Sequence, residues 1–148
     1  MPEVEQVRLG HINIEVRNLA RARRFYDKFL PALGFRRLRN GDSAWVGYRK
    51  GSLTLWLTVS RPRQVVRRRP KVPTTGATDP ISDHLGFRIP DSRTSARLER
   101  KLMGQGLSPL YKIDRVATVG HTWYVSDAWC DPDNNVFELY TLERRKWD

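Results

Sequence analysis

His84-Leu-Gly-Phe-Arg-Ile-Pro-Asp91 repeats His11-Ile-Asn-Ile-Glu-Val-Arg-Asn18 at an offset of 73 positions. Each copy opens on histidine and has apolar residues at its second, fourth and sixth places. Each ends on a residue type that caps helices. Strict alternation is the period of a half-buried strand. Ile12, Ile14 and Val16 therefore share one face, and His11, Asn13 and Glu15 the other. In the later copy Leu85, Phe87 and Ile89 face the core, while His84, Gly86 and Arg88 face away. Self-similarity at a fixed period constrains a fold more than local propensity does, so the chain reads as two copies of one unit.

Outward from the first copy, Leu19, Ala22, Tyr26, Phe29 and Leu33 recur at helical spacing, with Phe25 beside them. Pro31 and Gly34 close that helix. Residues 35–39 read as a strand, Asn40-Gly41-Asp42 as a hairpin turn, and 44–49 as the next strand. After the Lys50-Gly51-Ser52 turn, the strand 53–59 puts Leu53, Leu55, Leu57 and Val59 on the core face. Thr54, Trp56 and Thr58 lie opposite. From the second copy, a helix runs from Ser92 to about Leu102, with Ala96, Leu98, Leu102 and Met103 as its apolar contacts. Gly104 and Gly106 stop it. Strands 110–119 and 122–130 follow, and the turn Asp131-Pro-Asp-Asn-Asn135 leads into a strand 136–142. Pro132 presets φ, and Asn134 or Asn135 can take the left-handed conformation.

Both halves are thus βαβββ. The expectation is one α+β domain over the 148 residues, made of module 7–59 and module 82–142 joined by a loop 60–81. That loop carries Arg61, Arg63, Arg67, Arg68, Arg69 and Lys71 among prolines, so it connects the modules without ladder structure.

The formal net charge is +11, from 27 Lys and Arg against 16 Asp and Glu. A basic balance suits nucleic acid, but neither a recognition helix nor a zinc-finger spacing accompanies it. A solvated basic surface is the plainer reading and an anionic small substrate a further one. No run of about 18 apolar residues exists, which argues against a membrane span. The N-terminus lacks the basic-then-apolar pattern of a secretory signal. The single Cys130 cannot form an intrachain disulfide, which fits a reducing cytoplasm.

The last strand carries the chemistry. Phe137 and Leu139 take its core face, so Glu138 and Tyr140 point away. The turn before it sets the register, and a slip of one residue would bury Glu138 on the core face. Alone, each histidine is a strand residue facing solvent and Glu138 an ordinary carboxylate. Together, His11, His84 and Glu138 occupy non-core faces of three strands in a repeat. Two His and one carboxylate with open positions suit Fe(II) or Mn(II), and also Zn(II). Tyr140 and His121 are the candidate acid–base residues. Trp56, Arg88 and Thr54 are the candidate substrate contacts.

These residues resemble the vicinal oxygen chelate superfamily of glyoxalase I, extradiol dioxygenases, fosfomycin-resistance enzymes and bleomycin-resistance proteins. The likeness rests on His11-Ile-Asn-Ile-Glu-Val, Phe25-Tyr26, Leu33-Gly34-Phe35, His84-Leu-Gly-Phe, Asp131-Pro-Asp and Phe137-Glu138-Leu139. It implies two βαβββ modules forming a curved mixed sheet around a metal cleft, a homodimer, and a substrate that chelates the ion through neighbouring oxygens. Glyoxalase I takes two ligands from each module. Aligning Leu53-Thr-Leu-Trp56 with Phe137-Glu-Leu-Tyr140 puts the place of a fourth ligand near Thr54, with Trp56 the neighbouring outward residue; neither is a carboxylate, so that activity is disfavoured. A His-His-Glu set is that of extradiol dioxygenases and fosfomycin-resistance enzymes. The extradiol pattern has Tyr and Gly around the Asp-Pro turn, where this chain has Ala128 and Asn134. A metal-free small-molecule-binding protein of the bleomycin-resistance type is the alternative, with Trp45, Trp56 and Trp123 as stacking surfaces.

Overall fold

The computed structural model describes residues 7–39, 45–59, 83–117 and 122–144. The Asn40-Gly41-Asp42 turn, the basic loop 60–81 and His121 lie outside the described residues. The chain divides into two compact units, Met1–Gln64 and Val65–Asp148.

In the first unit, β1 (His11–Val16) leads into α1 (Leu19–Ala32), followed by β2 (Arg36–Arg37), β3 (Trp45–Lys50) and β4 (Leu53–Val59). The sheet order is β1-β4-β3-β2, with β1 parallel to β4 and the remaining pairs antiparallel. Helix α1 starts where expected because Asn18 caps it, its side chain accepting from Arg21 N at 2.8 Å. Pro31 falls within the last turn, and Gly34, at φ 89°, turns the chain out of the helix. The helix buries Ala22, Phe25, Tyr26, Phe29 and Leu30. The sheet buries Tyr48, Leu55 and Leu57. The Tyr48 hydroxyl donates to Asp27 Oδ1 at 2.7 Å. Burial, then that carboxylate, pushes the phenol far above its ordinary range.

The second unit repeats this topology. It contains β5 (His84–Arg88), α2 (Ser92–Gly104), β6 (Tyr111–Ala117), β7 (Thr122–Cys130) and β8 (Val136–Arg144), in the order β5-β8-β7-β6. Again the first and last strands are parallel. Asp91 caps α2, accepting from Thr94 N at 2.7 Å. The apolar face of α2 differs from the expected one. Leu102 is buried and Leu98 half-buried, but Ala96 and Met103 are exposed. The face turned inward runs Ser95, Leu98, Glu99, Leu102, the i, i+3, i+4, i+7 stripe, and leaves Ala96 and Met103 one position outside it.

The Asp131 turn is closed by its own side chain. Asp131 Oδ1 accepts from Asp133 N and Asn135 N, each at 2.8 Å, and Oδ2 accepts from Asn135 Nδ2 at 2.8 Å. Asn134 takes the left-handed conformation at φ 65°. Asp131 is buried, so this hydrogen-bonded loop is a fixed hinge between β7 and β8. It sets Cys130 opposite Val136 and Ala128 opposite Glu138.

Candidate metal centre

Strand β8 turns Phe137 and Leu139 to the helix side, where the Phe137 ring stacks on Phe87 at 6.3 Å. Glu138 is left on the opposite face, between Gly86 of β5 and Ala128 of β7. Both neighbours are small. Gly86 also leaves room for Tyr140, since a Cβ there would come within 3.3 Å of that ring. His84 lies two residues before Gly86 on the same face. Its Nε2 stands 2.8 Å from Glu138 Oε2. The other carboxylate oxygen, Oε1, accepts a hydrogen bond from the Tyr124 hydroxyl.

Glu138 is only 2% exposed. Burial raises its carboxyl above the ordinary range, and the His84 imidazole opposes that rise. Tyr124 stacks on Tyr140 with ring centres 5.1 Å apart. Tyr111, opposite Ala128, is pushed up to about 12 by burial and then by the Glu138 charge. Its hydroxyl and Ser126 Oγ are buried without a hydrogen-bond partner among the described residues.

Tyr140 shares the face of Glu138, with its ring stacked on that of Tyr124. The phenol on the carboxylate is that of Tyr124, which sequence reasoning missed. The alternation Tyr124, Ser126, Ala128 could have revealed it, because an antiparallel neighbour of β8 must show these residues on the face of Glu138 and Tyr140. Arg88 is exposed on the His84 face, opposite Tyr140.

The pair formed by His84 and Glu138 suits a first-row divalent ion. Ligand distances of about 2.1 Å and a right angle at the ion put nitrogen and oxygen about 3.0 Å apart. The 2.8 Å separation of Nε2 and Oε2 is that of a hydrogen bond between imidazole and carboxylate, and lies close to that edge. With Tyr124 on Oε1, the other oxygen of Glu138, Oε2, is the one that faces His84, and these two residues would hold an ion if one were bound. Among the described residues, no group of three or more His, Cys, Asp or Glu is gathered closely enough to hold a metal. His11 lies exposed on β1, in the first unit.

That unit's corresponding face carries His11, Asn13 and Glu15 beside Thr54, Trp56 and Thr58, then Trp45, Gly47 and Arg49. Arg49 Nε donates to Thr54 Oγ1 at 3.2 Å, and Asn13 Nδ2 to Thr58 Oγ1 at 3.0 Å. The register corrects the alignment made from sequence. Glu138 pairs with Gly86 and Ala128, and the residue that pairs with the equivalent Asn13 and Gly47 is Trp56. Thr54 instead matches Val136, since these two stand opposite the histidines. An indole thus occupies the first unit's counterpart of the carboxylate. It lies flat on Gly47, where a Cβ would fall 2.4 Å from the ring, and packs on Trp45 at 4.9 Å.

No protein-family model matches the chain, and no curated protein matches it by sequence. Solved structures do match. A putative glyoxalase from Bacillus halodurans is 24% identical with a TM-score of 0.63, covering 93% of this chain and 98% of its own. A glyoxalase/bleomycin resistance protein/dioxygenase from Alicyclobacillus acidocaldarius is 19% identical with a TM-score of 0.61, covering 90% of each chain. A lactoylglutathione lyase from Agrobacterium tumefaciens is 16% identical with a TM-score of 0.59, covering 90% of this chain and 92% of its own. Two four-stranded mixed sheets, each with one helix and the same strand order, give this chain the glyoxalase/bleomycin-resistance/dioxygenase fold, that of the vicinal oxygen chelate proteins.

Proposed function

We propose that the protein is a metal-dependent enzyme of the vicinal oxygen chelate type, with His11, His84 and Glu138 holding a divalent ion (Fe, Mn or Zn) and a small oxygen-chelating molecule as substrate. The observation that carries the reading is the approach of His84 Nε2 to the buried Glu138 at 2.8 Å. A carboxylate kept out of water beside an imidazole costs stability unless something cationic offsets it. When bound, the ion supplies Lewis acidity or, if it is iron, oxygen chemistry. The chain's own part is positional. Tyr124 orients Glu138, and Tyr140 with His121 supplies proton donors and acceptors. Trp56, Arg88 and Thr54 contact substrate. With Trp56 at the first unit's counterpart of Glu138, a fourth protein ligand is missing. A dioxygenase-like or fosfomycin-resistance-like transferase reaction is favoured over that of glyoxalase I. The same reading includes a cytoplasmic homodimer and no nucleic-acid or membrane partner. Among the described residues no helix is long and apolar enough to cross a membrane.

The test is elemental analysis of protein purified without a histidine tag, alongside Glu138→Ala and His11→Ala. Stoichiometric Fe, Mn or Zn in the parent and its loss in both variants support the reading. A metal-free parent that takes up none of the three ions on dialysis sinks it. The Trp45–Trp56 pair, ring centres 4.9 Å apart and planes tilted by 36°, favours a second reading, a metal-free protein that binds an aromatic ligand. Quenching of tryptophan fluorescence by such ligands, unchanged in excess chelator, would select it.

A further inference from the structure

On the opposite side of the second unit's sheet, between that sheet and α2, lies a half-open cavity of about 330 Å³. Its walls include Ser95, Ala96 and Glu99 of α2, Lys112 of β6, Asp127 of β7 and Thr141 of β8. The repeat supplies an internal control. The two N-caps, Asn18 and Asp91, align the helices, so Tyr26 corresponds to Glu99 and Phe29 to Leu102. The pairing of Gly47 and Ala128 with their strand partners aligns the sheets, so Val46 corresponds to Asp127. The first unit buries Tyr26 and Val46 in its core. The second unit has carboxylates at both places, beside a cavity. Glu99 is half-buried and paired with Lys112, but core packing does not explain Asp127, because a buried carboxylate costs more than the valine at the corresponding place.

The charges in the cavity do not balance. Lys112 Nζ is paired with Glu99 Oε1, and that hydrogen bond keeps the ammonium charged. Asp127 stands opposite Lys112 across the strands and feels its charge, but has no hydrogen-bond donor among the described residues. It is 9% exposed and lines the cavity. Burial and the Glu99 charge raise its carboxyl above the ordinary range, against the pull of Lys112. One cation facing two carboxylates leaves one negative charge unmatched.

We infer that this cavity is a second binding site, which takes the ammonium group of a small primary amine on Asp127. An ammonium presents three donors. Asp127 accepts one, and the hydroxyls of Ser95 and Thr141 stand in the same wall for the others. An alkyl stem lies against Ala96 and Val125. A divalent metal fits worse, because hard cations want six or more oxygens and Glu99 is already committed to Lys112. The site is on the α2 side of the sheet and does not depend on the metal reading.

The experiment is titration of the full chain with n-butylammonium chloride, followed by amide NMR shifts and calorimetry, with butan-1-ol as the uncharged control. Saturable binding in the millimolar range is expected for the ammonium and none for the alcohol. Asp127→Asn should weaken it about 10- to 100-fold, the range for losing a hydrogen bond to a charged group. Ser95→Leu fills the cavity from the helix side and should abolish binding, and it keeps the inference testable should Asp127→Asn fold poorly. Glu138→Gln should leave amine binding unchanged, so failure of one site is told apart from failure of the other. Equal binding of alcohol and ammonium, unaltered affinity in Asp127→Asn or Ser95→Leu, or absence of saturation would each overturn the inference.

Discussion

Glu138→Gln isolates the contribution of one charged oxygen in a fixed place. The carboxylate is 2% exposed, 2.8 Å from His84 Nε2, and bonded through its other oxygen to Tyr124. Glutamine keeps the shape. Its carbonyl still accepts from Tyr124, and its amide can donate to the His84 nitrogen, but it carries no charge for an ion. In chelator, the variant should unfold at a temperature no lower than the parent, because a neutral amide is cheaper to bury than a carboxylate. With a divalent ion at 100-fold above its Kd, the parent should gain about 2.7 kcal/mol. At roughly 2–4 °C per kcal/mol for a chain of this size, Tm rises by about 5–10 °C. If the variant binds about 100-fold more weakly, the upper range for loss of a mere outer-shell partner, its gain is about 0.4 kcal/mol, or roughly 1 °C. Thermal unfolding followed by circular dichroism, with Mn(II) or Zn(II) against chelator, reads all four values. A full shift retained in Glu138→Gln would refute the assignment of this carboxylate. So would an unchanged parent Tm with every ion tried.

Three further outcomes follow from the geometry. Tyr124→Phe leaves Oε1 of Glu138 without its donor, so metal affinity should fall about 10- to 100-fold with little change in the fold, as read by the visible spectrum of the Co(II)-loaded protein. Gly47→Ala drives a methyl to within 2.4 Å of the Trp56 ring, and the displaced indole should cost about 1–3 kcal/mol in denaturant unfolding and alter tryptophan emission. The raised carboxyl of Asp127 sets the sign of a pH effect: the folded state holds that proton more tightly than the unfolded chain does. Stability from this group is full below its usual value of 3.8 and is lost as pH rises through the folded value. Asp127→Asn should therefore be more stable than the parent at neutral pH and lose that advantage in acid, and an unfolding series with parallel curves at all pH values would contradict this.

The alternation in His11–Val16 and His84–Arg88, the caps at Asn18 and Asp91, and the turn at Asp131 are local features. Each depends on residues only a few positions apart, and so the strands, the helices and the internal repeat could be read from the chain alone. So could the placing of His84 and Glu138 on a common face, because period two fixes the face once a strand is recognised. What stands opposite what could not be read, because pairing register depends on turn lengths and on contacts far apart in sequence. Only the sheets put Trp56, and not Thr54, at the counterpart of Glu138, brought Tyr124 onto that carboxylate, and set Asp127 across the strands from Lys112 beside a cavity. The helix stripe of α2 failed for a related reason: its propensity for helix is intrinsic, but which side of it is inward is decided by the sheet it meets. The sequence by itself determined the repeated unit and the residue types at its face. The tertiary structure decided their partners, since side chains find one another across strands and not along them.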